Sequence, residues 1–497
     1  MSKQSSVNIK DLILETGILD LQKSLNSGQL TSQEIIHFYL DRIHRYDQKG
    51  PGLNSIIILN PKALQEAKSL DRERQEKGPR GLLHGMPIVL KDNIDTSDMP
   101  TTGASKAMRY SQPPKDAFLT KKLRDAGAII LAKVNLHELA RLGFTVSSLQ
   151  GQTFNPYDLT RTPGGSSGGT AVAVAANFAV AGLGTDTVNS VRSPASATNL
   201  VGFRPTKGLL SCSGLIPAAL TQDIAGPITR SVSDSAILLD ALAGYDPEDP
   251  STAWNIGHVP DTFTSFLKKD GLKGKRRGLL KSNFGTDPAV LQVMDQALRD
   301  ILAQGAKVLN IDHPMLETVS VFNTADVQKF ETKSQLNTYF QTLGTEAPIQ
   351  SLQGLLDSGV LHKSIISSLQ EANALENGLE MAEYKNRLLK AAKLRETILK
   401  IMADQRLDAL CYPHQQVLVA LTTLEDQPGR NGILASVTGF PAITVPAGFS
   451  TPCAGAPDGV PVGIEFLGRP WTESILLEIA YAYEQATKHR KLPRLTP

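Results

Sequence analysis

Between about residues 81 and 245 the chain breaks into short apolar runs set off by glycine and proline, and this punctuation constrains the fold most. Ile88-Val89-Leu90, Ala128-Ile129-Ile130-Leu131-Ala132 and Val180-Ala181-Gly182-Leu183 are strand-sized and apolar throughout. Such runs predict strands, or strand ends, buried on both sides. Helix-like text, such as Lys121 to Ala126, lies between some of them. That alternation predicts an α/β fold, a sheet covered by helices on both faces.

The flanking text differs. Residues from about 8 to 80 read as helical. The capping-box pattern Thr31-x-x-Glu34 leads into apolar residues Ile35, Ile36, Phe38, Tyr39, Leu40 and Ile43 on a helical period. Residues from about 250 to 425 are less punctuated, and Lys363 to Gln405 reads as a charge-interleaved helical stretch free of proline. Strand-like text returns at Pro441 to Gly448 and Val460 to Leu467, and a closing helix is predicted over about 472 to 487. With no repeat and no low-complexity linker, the chain reads as one large domain. Its parts are an N-terminal helical region (1–80), a core (81–250), a largely helical variable region (251–425) and terminal strands with a helix that complete the core (426–497).

Composition narrows the function classes. In 497 residues, 41% are hydrophobic and 20% charged, the profile of an ordinary soluble globular protein. A net charge of +2 offers no electrostatic case for nucleic acid or an anionic membrane. The short basic run Lys273-Gly274-Lys275-Arg276-Arg277 reads as a solvated lead into a strand. Cys212, Cys411 and Cys453 are odd in number and widely spaced, so neither a disulfide framework nor a zinc site is expected. The first eight residues hold no apolar stretch of signal-peptide length. The apolar run Ala171 to Leu183, interrupted by Asn177, is too short to span a bilayer and reads as a buried core helix. The cytoplasm is the default compartment.

Three polar residues stand out in glycine-rich text. Lys91 ends the run Gly85-Met86-Pro87-Ile88-Val89-Leu90. Ser166 lies in Gly164-Gly165-Ser166-Ser167-Gly168-Gly169, and Ser190 lies in Gly184-Thr185-Asp186-Thr187-Val188-Asn189-Ser190-Val191-Arg192. Glycine clusters let backbone N–H groups approach a ligand closely, which suits an oxyanion site. A serine hydroxyl needs a base, and His84, His137 and His414 are isolated in sequence. Lys91 is the better candidate, because desolvation at the end of a buried strand favours the neutral amine. Taken alone, such a lysine is more often a solvated strand end, and the glycine cluster more often a flexible loop or anion-binding turn. A phosphate loop is excluded by the missing Gly-Lys-Ser/Thr ending. A nucleophile elbow at Ser167 needs a preceding strand, whereas Asn155 to Pro163 is polar and broken by proline.

Taken together, these segments resemble the amidase signature family, whose members act on amides through a Ser–cis-Ser–Lys triad. Gly202-Phe203-Arg204-Pro205-Thr206-Lys207-Gly208 and Asp223 to Arg230 also match, as do Gly439 to Gly448, Pro461 to Ile464 and Gly468-Arg469-Pro470. The resemblance runs from about residue 30 to the end and is weakest between about 255 and 425. It implies a single domain built on a large mixed sheet. It makes Lys91 the base, Ser166 the bridging serine after a cis peptide bond, and Ser190 the acylated nucleophile. The backbone amides of Thr187, Val188, Asn189 and Ser190 become the oxyanion donors. Ser167, Asp186 and Arg192 become supporting residues, the last two as charge partners that shape the loop. No cofactor and no metal are implied.

The sequence departs from the family at Val188-Asn189, where two glycines are commonest. Asn tolerates left-handed backbone and Val does not, so an intact oxyanion hole requires a negative φ at Val188. The leading expectation is hydrolysis of a small-molecule amide. Acyl transfer, in amide formation or within an amidotransferase complex, is the alternative, and a catalytically silent binding scaffold the second. Phe322, Tyr339, Phe340 and Tyr384 are pocket candidates for which core packing is the commoner role. No nucleic-acid or membrane partner is expected, and a homodimer is left open.

Overall fold

The computed structural model describes residues 8–497; the signal-peptide reading of the first eight residues therefore falls almost wholly outside it. Eleven strands form one mixed sheet. In chain order they are β1 (Ile56–Leu59), β2 (Pro87–Lys91), β3 (Ile129–Val134), β4 (Ala181–Asp186), β5 (Val201–Arg204), β6 (Ile224–Thr229), β7 (Arg276–Leu280), β8 (Lys307–Ile311), β9 (Ala409–Pro413), β10 (Ala442–Phe449) and β11 (Pro461–Leu467). Their spatial order is β1-β3-β2-β4-β6-β5-β10-β11-β9-β7-β8. β2 runs parallel to both neighbours, β3 and β4, while β4 to β6 and β5 to β10 pair antiparallel. Every residue of β2, β3, β4, β5 and β6 is buried. This is what the unbroken apolar runs require of strands covered on both faces.

Three departures from the sequence reading have local causes. Ile56–Leu59, in text read as helical, is an edge strand antiparallel to β3; a four-residue apolar run does not distinguish helix from strand. The run Ala171 to Leu183 is not one helix: the helix Gly168–Ala175 stops, and β4 begins at Ala181. Asn177 takes φ 57° between them, a left-handed conformation that ends the helix, and its amide donates to Glu15. Lys363 to Gln405 likewise divides into helices Lys363–Ala374 and Ala382–Asp404. At the break, a Cβ on Gly378 would meet the Phe330 carbonyl oxygen at 2.4 Å, so the chain passes where only glycine fits.

The variable region is more than helical, since 251–425 contributes β7, β8 and β9 to the common sheet. Its basic run does lead into a strand, but Arg277 is fully buried in β7 rather than solvated. Tyr339 and Phe340 pack in a satellite core with Leu336, Ile365 and Leu369. Phe322 is 42% exposed. Among the described residues no helix is long and apolar enough to cross a membrane.

The glycine-rich segment owes its composition to close packing against protein. A Cβ on Gly168 would meet Thr145 Oγ1 at 2.2 Å, and one on Gly169 would meet the Asn135 carbonyl oxygen at 2.2 Å. Gly164 alone in this segment has positive φ. Gly169→Ala is therefore expected to force backbone apart at Asn135 and destabilise the fold by about 1–3 kcal/mol, read as a lower urea midpoint at unchanged slope.

Candidate active site

Lys91 closes β2 at its carboxyl end, next to the parallel strand β4 that carries Thr185. Its side chain is fully buried. Nζ lies 2.7 Å from Ser166 Oγ, 2.8 Å from Thr185 Oγ1 and 3.2 Å from the Thr185 carbonyl oxygen. Burial pushes the amine down to about 7, against the opposing pull of the Asp186 and Asp223 carboxylates. A neutral amine has two N–H bonds and one lone pair. With both N–H bonds held by the two oxygens of Thr185, the lone pair faces the Ser166 hydroxyl. Asn93 Nδ2 donates to the same Thr185 hydroxyl at 3.0 Å and fixes it from the other side.

The Gly165–Ser166 peptide is cis. Ser167 stitches the three segments together. Its hydroxyl donates to the Thr185 carbonyl at 3.1 Å and accepts from the Thr185 N–H at 3.3 Å. Its own N–H donates to the Ser190 carbonyl at 3.2 Å. Ser190 is thus held beside the Lys91–Ser166 pair through the backbone. It is 6% exposed, where Lys91 and Ser166 are sealed. Among the described residues no hydrogen bond engages its hydroxyl.

Thr187, Val188, Asn189 and Ser190 form the bend between β4 and the helix Arg192–Ala197. Among the described residues their four N–H groups donate to no protein acceptor. Neither Val188 nor Asn189 lies in the left-handed region, so the absence of glycine imposes no backbone penalty. The bend is clamped from outside. Thr187 Oγ1 donates to Asp223 at 2.5 Å, and Asp223 also accepts from the N–H groups of Ala218 and Ala219. Arg192 Nη2 donates to the Val188 carbonyl at 2.8 Å.

Asp186 and Arg192 meet in a buried ion pair at 3.0 Å, part of a larger network. Asp186 also takes Arg204 at 2.8 Å, and Arg192 reaches Glu465 on β11 at 2.5 Å. Glu465 in turn accepts from Tyr412 and contacts His414. Burial alone pushes the Asp186 carboxyl up, but Arg192 and Arg204 outweigh it and hold it well below the ordinary carboxylate range. Burial likewise opposes ionisation of Glu465, and Arg192 and His414 bring it down to about 2.

Thr185, Arg204, Asp223 and Glu465 have no role in the sequence reading, although a signal is present for two. Glu465 is a charge inside an otherwise apolar strand run and Arg204 closes another, and a charge buried there must be paired. His137, isolated in sequence, comes to the serine loop: its backbone N–H donates to the Ser166 carbonyl at 3.0 Å. Burial pushes its ring down to about 3. Nδ1 accepts from the Phe144 N–H, and Nε2 contacts Ser364 Oγ. Both ring nitrogens are committed away from the serines, so the ring is no rival base.

A large mixed sheet with a buried lysine–serine pair at the carboxyl end of a central strand defines an α/β protein. The sequence profile described as Amidase matches residues 34–477, and the chain belongs to the amidase signature family. It is 35% identical to a probable amidase of Arabidopsis thaliana, over 97% of this chain and 92% of that one. It is also 35% identical to a glutamyl-tRNA(Gln) amidotransferase subunit of Microcystis aeruginosa, over 97% and 100%. Among solved structures, the native peptide amidase from Stenotrophomonas maltophilia superposes with a TM-score of 0.89. That alignment has 38% identity and covers 97% of this chain and 99% of that one.

The ion network predicts a stability phenotype. Asp186→Asn leaves Arg192 and Arg204 short of a buried counter-charge and is expected to cost about 3–5 kcal/mol, measured by denaturant unfolding. The pH dependence follows from Glu465. Its folded value of about 2 lies below the unfolded value of about 4.3. The stability it contributes is therefore complete above about pH 5 and is lost as pH falls toward 2. Glu465→Gln should accordingly cost most stability at neutral pH and progressively less in acid. A cost that stays constant from pH 7 down to the acid transition would contradict this.

Proposed function

We propose that this protein hydrolyses a carboxamide through an acyl-enzyme on Ser190, with Ser166 and Lys91 as the proton relay. The observation that carries the reading is the sealed 2.7 Å contact between Lys91 Nζ and Ser166 Oγ, with the amine brought to about 7. Neutral Lys91 takes the Ser166 proton as Ser166 takes that of Ser190, and Ser190 Oγ bonds to the amide carbon. The oxyanion meets the free N–H groups of residues 187–190. The relay then returns a proton to the leaving nitrogen as the C–N bond breaks. Water, deprotonated by the same relay, releases the acid and restores Ser190.

The similarity to a peptide amidase over nearly the whole chain supports hydrolysis. Acyl transfer is the second reading, favoured by the equally extensive match to the amidotransferase of Microcystis aeruginosa. Hydroxylamine distinguishes the two. An enzyme built for transfer diverts most turnover to hydroxamate at low hydroxylamine concentration, and a hydrolase releases mainly acid.

A serine-directed fluorophosphonate is expected to label Ser190 in the folded protein, with labelling lost in Ser190→Ala. Lys91→Met should lower kcat/KM by about 10²–10⁴-fold. Because the neutral amine is the active form, kcat/KM should rise with pH along a limb centred near 7; a limb that falls there would refute lysine as base. Thr185→Val removes an acceptor that favours the ammonium. It should move that limb to lower pH while reducing the plateau, because the lone pair loses its aim.

A further inference from the structure

A cavity of about 510 Å³ lies between the segment 212–220 and the helix Gln328–Thr342, and neither Lys91, Ser166 nor any of residues 187–190 lines it. Its volume is that of a small-molecule site. Pro114, Leu215, Pro217 and Leu220 give it apolar walls, and Leu220 is 39% exposed. Asp95 lines it as well, at 6% exposure. The Asp95 backbone is fully paired: its N–H donates to the Gly214 carbonyl, and its carbonyl accepts from the Ala117 N–H and the Thr120 hydroxyl. Tyr339 Oη donates to Asp95 Oδ1 at 2.8 Å, whereas no hydrogen bond among the described residues engages Oδ2. Oδ2 is not a sealed atom, so it is the unpaired group that Asp95 turns to the cavity.

The lining hydroxyls are available as acceptors, because each already donates to protein. Those of Ser213, Thr338 and Thr342 donate to Asp246, the Ser334 carbonyl and the Tyr339 carbonyl. The Tyr339 hydroxyl is spent on Asp95, and the Cys212 thiol on the Asp223 carbonyl at 3.3 Å. Gln335 is engaged at both ends, accepting from the Leu220 N–H and donating to Glu331. Lys115 pairs with Glu248 at 2.5 Å, both largely exposed, and their charges cancel. Asp95 is left as the one unpaired charge among the lining residues. Burial pushes its carboxyl up to about 7, against the pull of the Tyr339 hydroxyl and Lys133. Lys133 is itself bound to Asp92 at 3.0 Å, so the Asp95 carboxylate has no counter-charge of its own.

We propose that this cavity is a binding site for a small organic ammonium, its charged head on Asp95 Oδ2 and its apolar body against Leu215, Pro217 and Leu220. A carboxylate or phosphate would meet Asp95 with like charge and find no free hydroxyl donor. An alcohol brings one donor and leaves the charge of the carboxylate unmet. An ammonium brings three donors to a wall of acceptors, and its charge offsets what burial costs the carboxylate. The site is separate from the reaction at Ser190 and stands whether or not that reaction is hydrolysis.

Three probes test it by binding alone. Phenethylamine, 2-phenylethanol and 3-phenylpropanoate share a phenyl group on a two-carbon chain and differ only in the head group. At about pH 8 the amine is protonated and Asp95 is ionised. Calorimetric titration into the full-length protein should show phenethylamine binding at least about tenfold more tightly than the alcohol, and the acid more weakly than either. Asp95→Asn keeps an acceptor for Tyr339 and removes the charge, so the amine should lose its advantage while the alcohol still binds. Thr338→Phe, which crowds the cavity from an exposed helix position, should weaken amine and alcohol alike. Lys91→Met should leave the affinity for the amine unchanged. Equal affinity for amine and alcohol, an advantage that survives Asp95→Asn, or indifference to Thr338→Phe would overturn the proposal. So would an advantage lost in Lys91→Met, which would place the amine at the triad instead.

Discussion

Asp186 sits where the chain leaves a sheet strand and turns into the bend that carries Ser190, and its carboxylate holds that junction. It accepts from Arg192 Nε and from the Val191 N–H, both just past the bend, and from Arg204 on β5. Arg192 passes the constraint on to Glu465 on β11, across the sheet order from β4. The network is wholly buried. Two carboxylates facing two guanidiniums keep the local charge balanced, which a buried network requires. The bend is therefore fixed by side chains, and among the described residues its own N–H groups have no protein acceptor.

The same division of labour governs the lysine. Burial makes the neutral amine accessible near pH 7, but burial alone does not aim it. Thr185 aims it, with two oxygens that occupy the N–H bonds, and Ser167 locks Thr185 to the backbone of Ser190. Lys91, Ser166 and Ser190 thus share one short piece of β4 as their reference. The glycines of 164–169 and Gly184 let these segments approach, since a Cβ on Gly184 would meet Ser167 Oγ at 2.6 Å.

What is legible in the sequence follows from how each feature is encoded. Lys91, Ser166 and Ser190 are readable because glycine and serine cluster around them in an order that chance does not produce. The core strands are readable because double burial writes itself as an unbroken apolar run. β1 is not, because four apolar residues between helices carry no period. Thr185 is invisible because a threonine in a strand is ordinary, and only the neighbouring lysine gives its oxygens a task. The pairing of Asp186 with Arg192 is readable from their places on either side of Ser190. The reach to Arg204 and Glu465 is not, because nothing local links residues 186, 204 and 465.

The Val188-Asn189 departure changes meaning once its geometry is known. Glycine at both positions would serve backbone freedom, and this bend uses none of that freedom, since neither residue lies in the left-handed region. What the side chains add is volume and chemistry. Val188 packs part-buried against the core, and Asn189 places its Cβ against the strip that carries Gly432, with an Nδ2 that has no acceptor among the described residues. The strip must run through Gly432 because Asn189 Cβ already fills the space that a side chain there would need. The departure in the bend and the glycine in the strip are thus one packing solution, in which the side chain added at one position is accommodated by the side chain left out at the other.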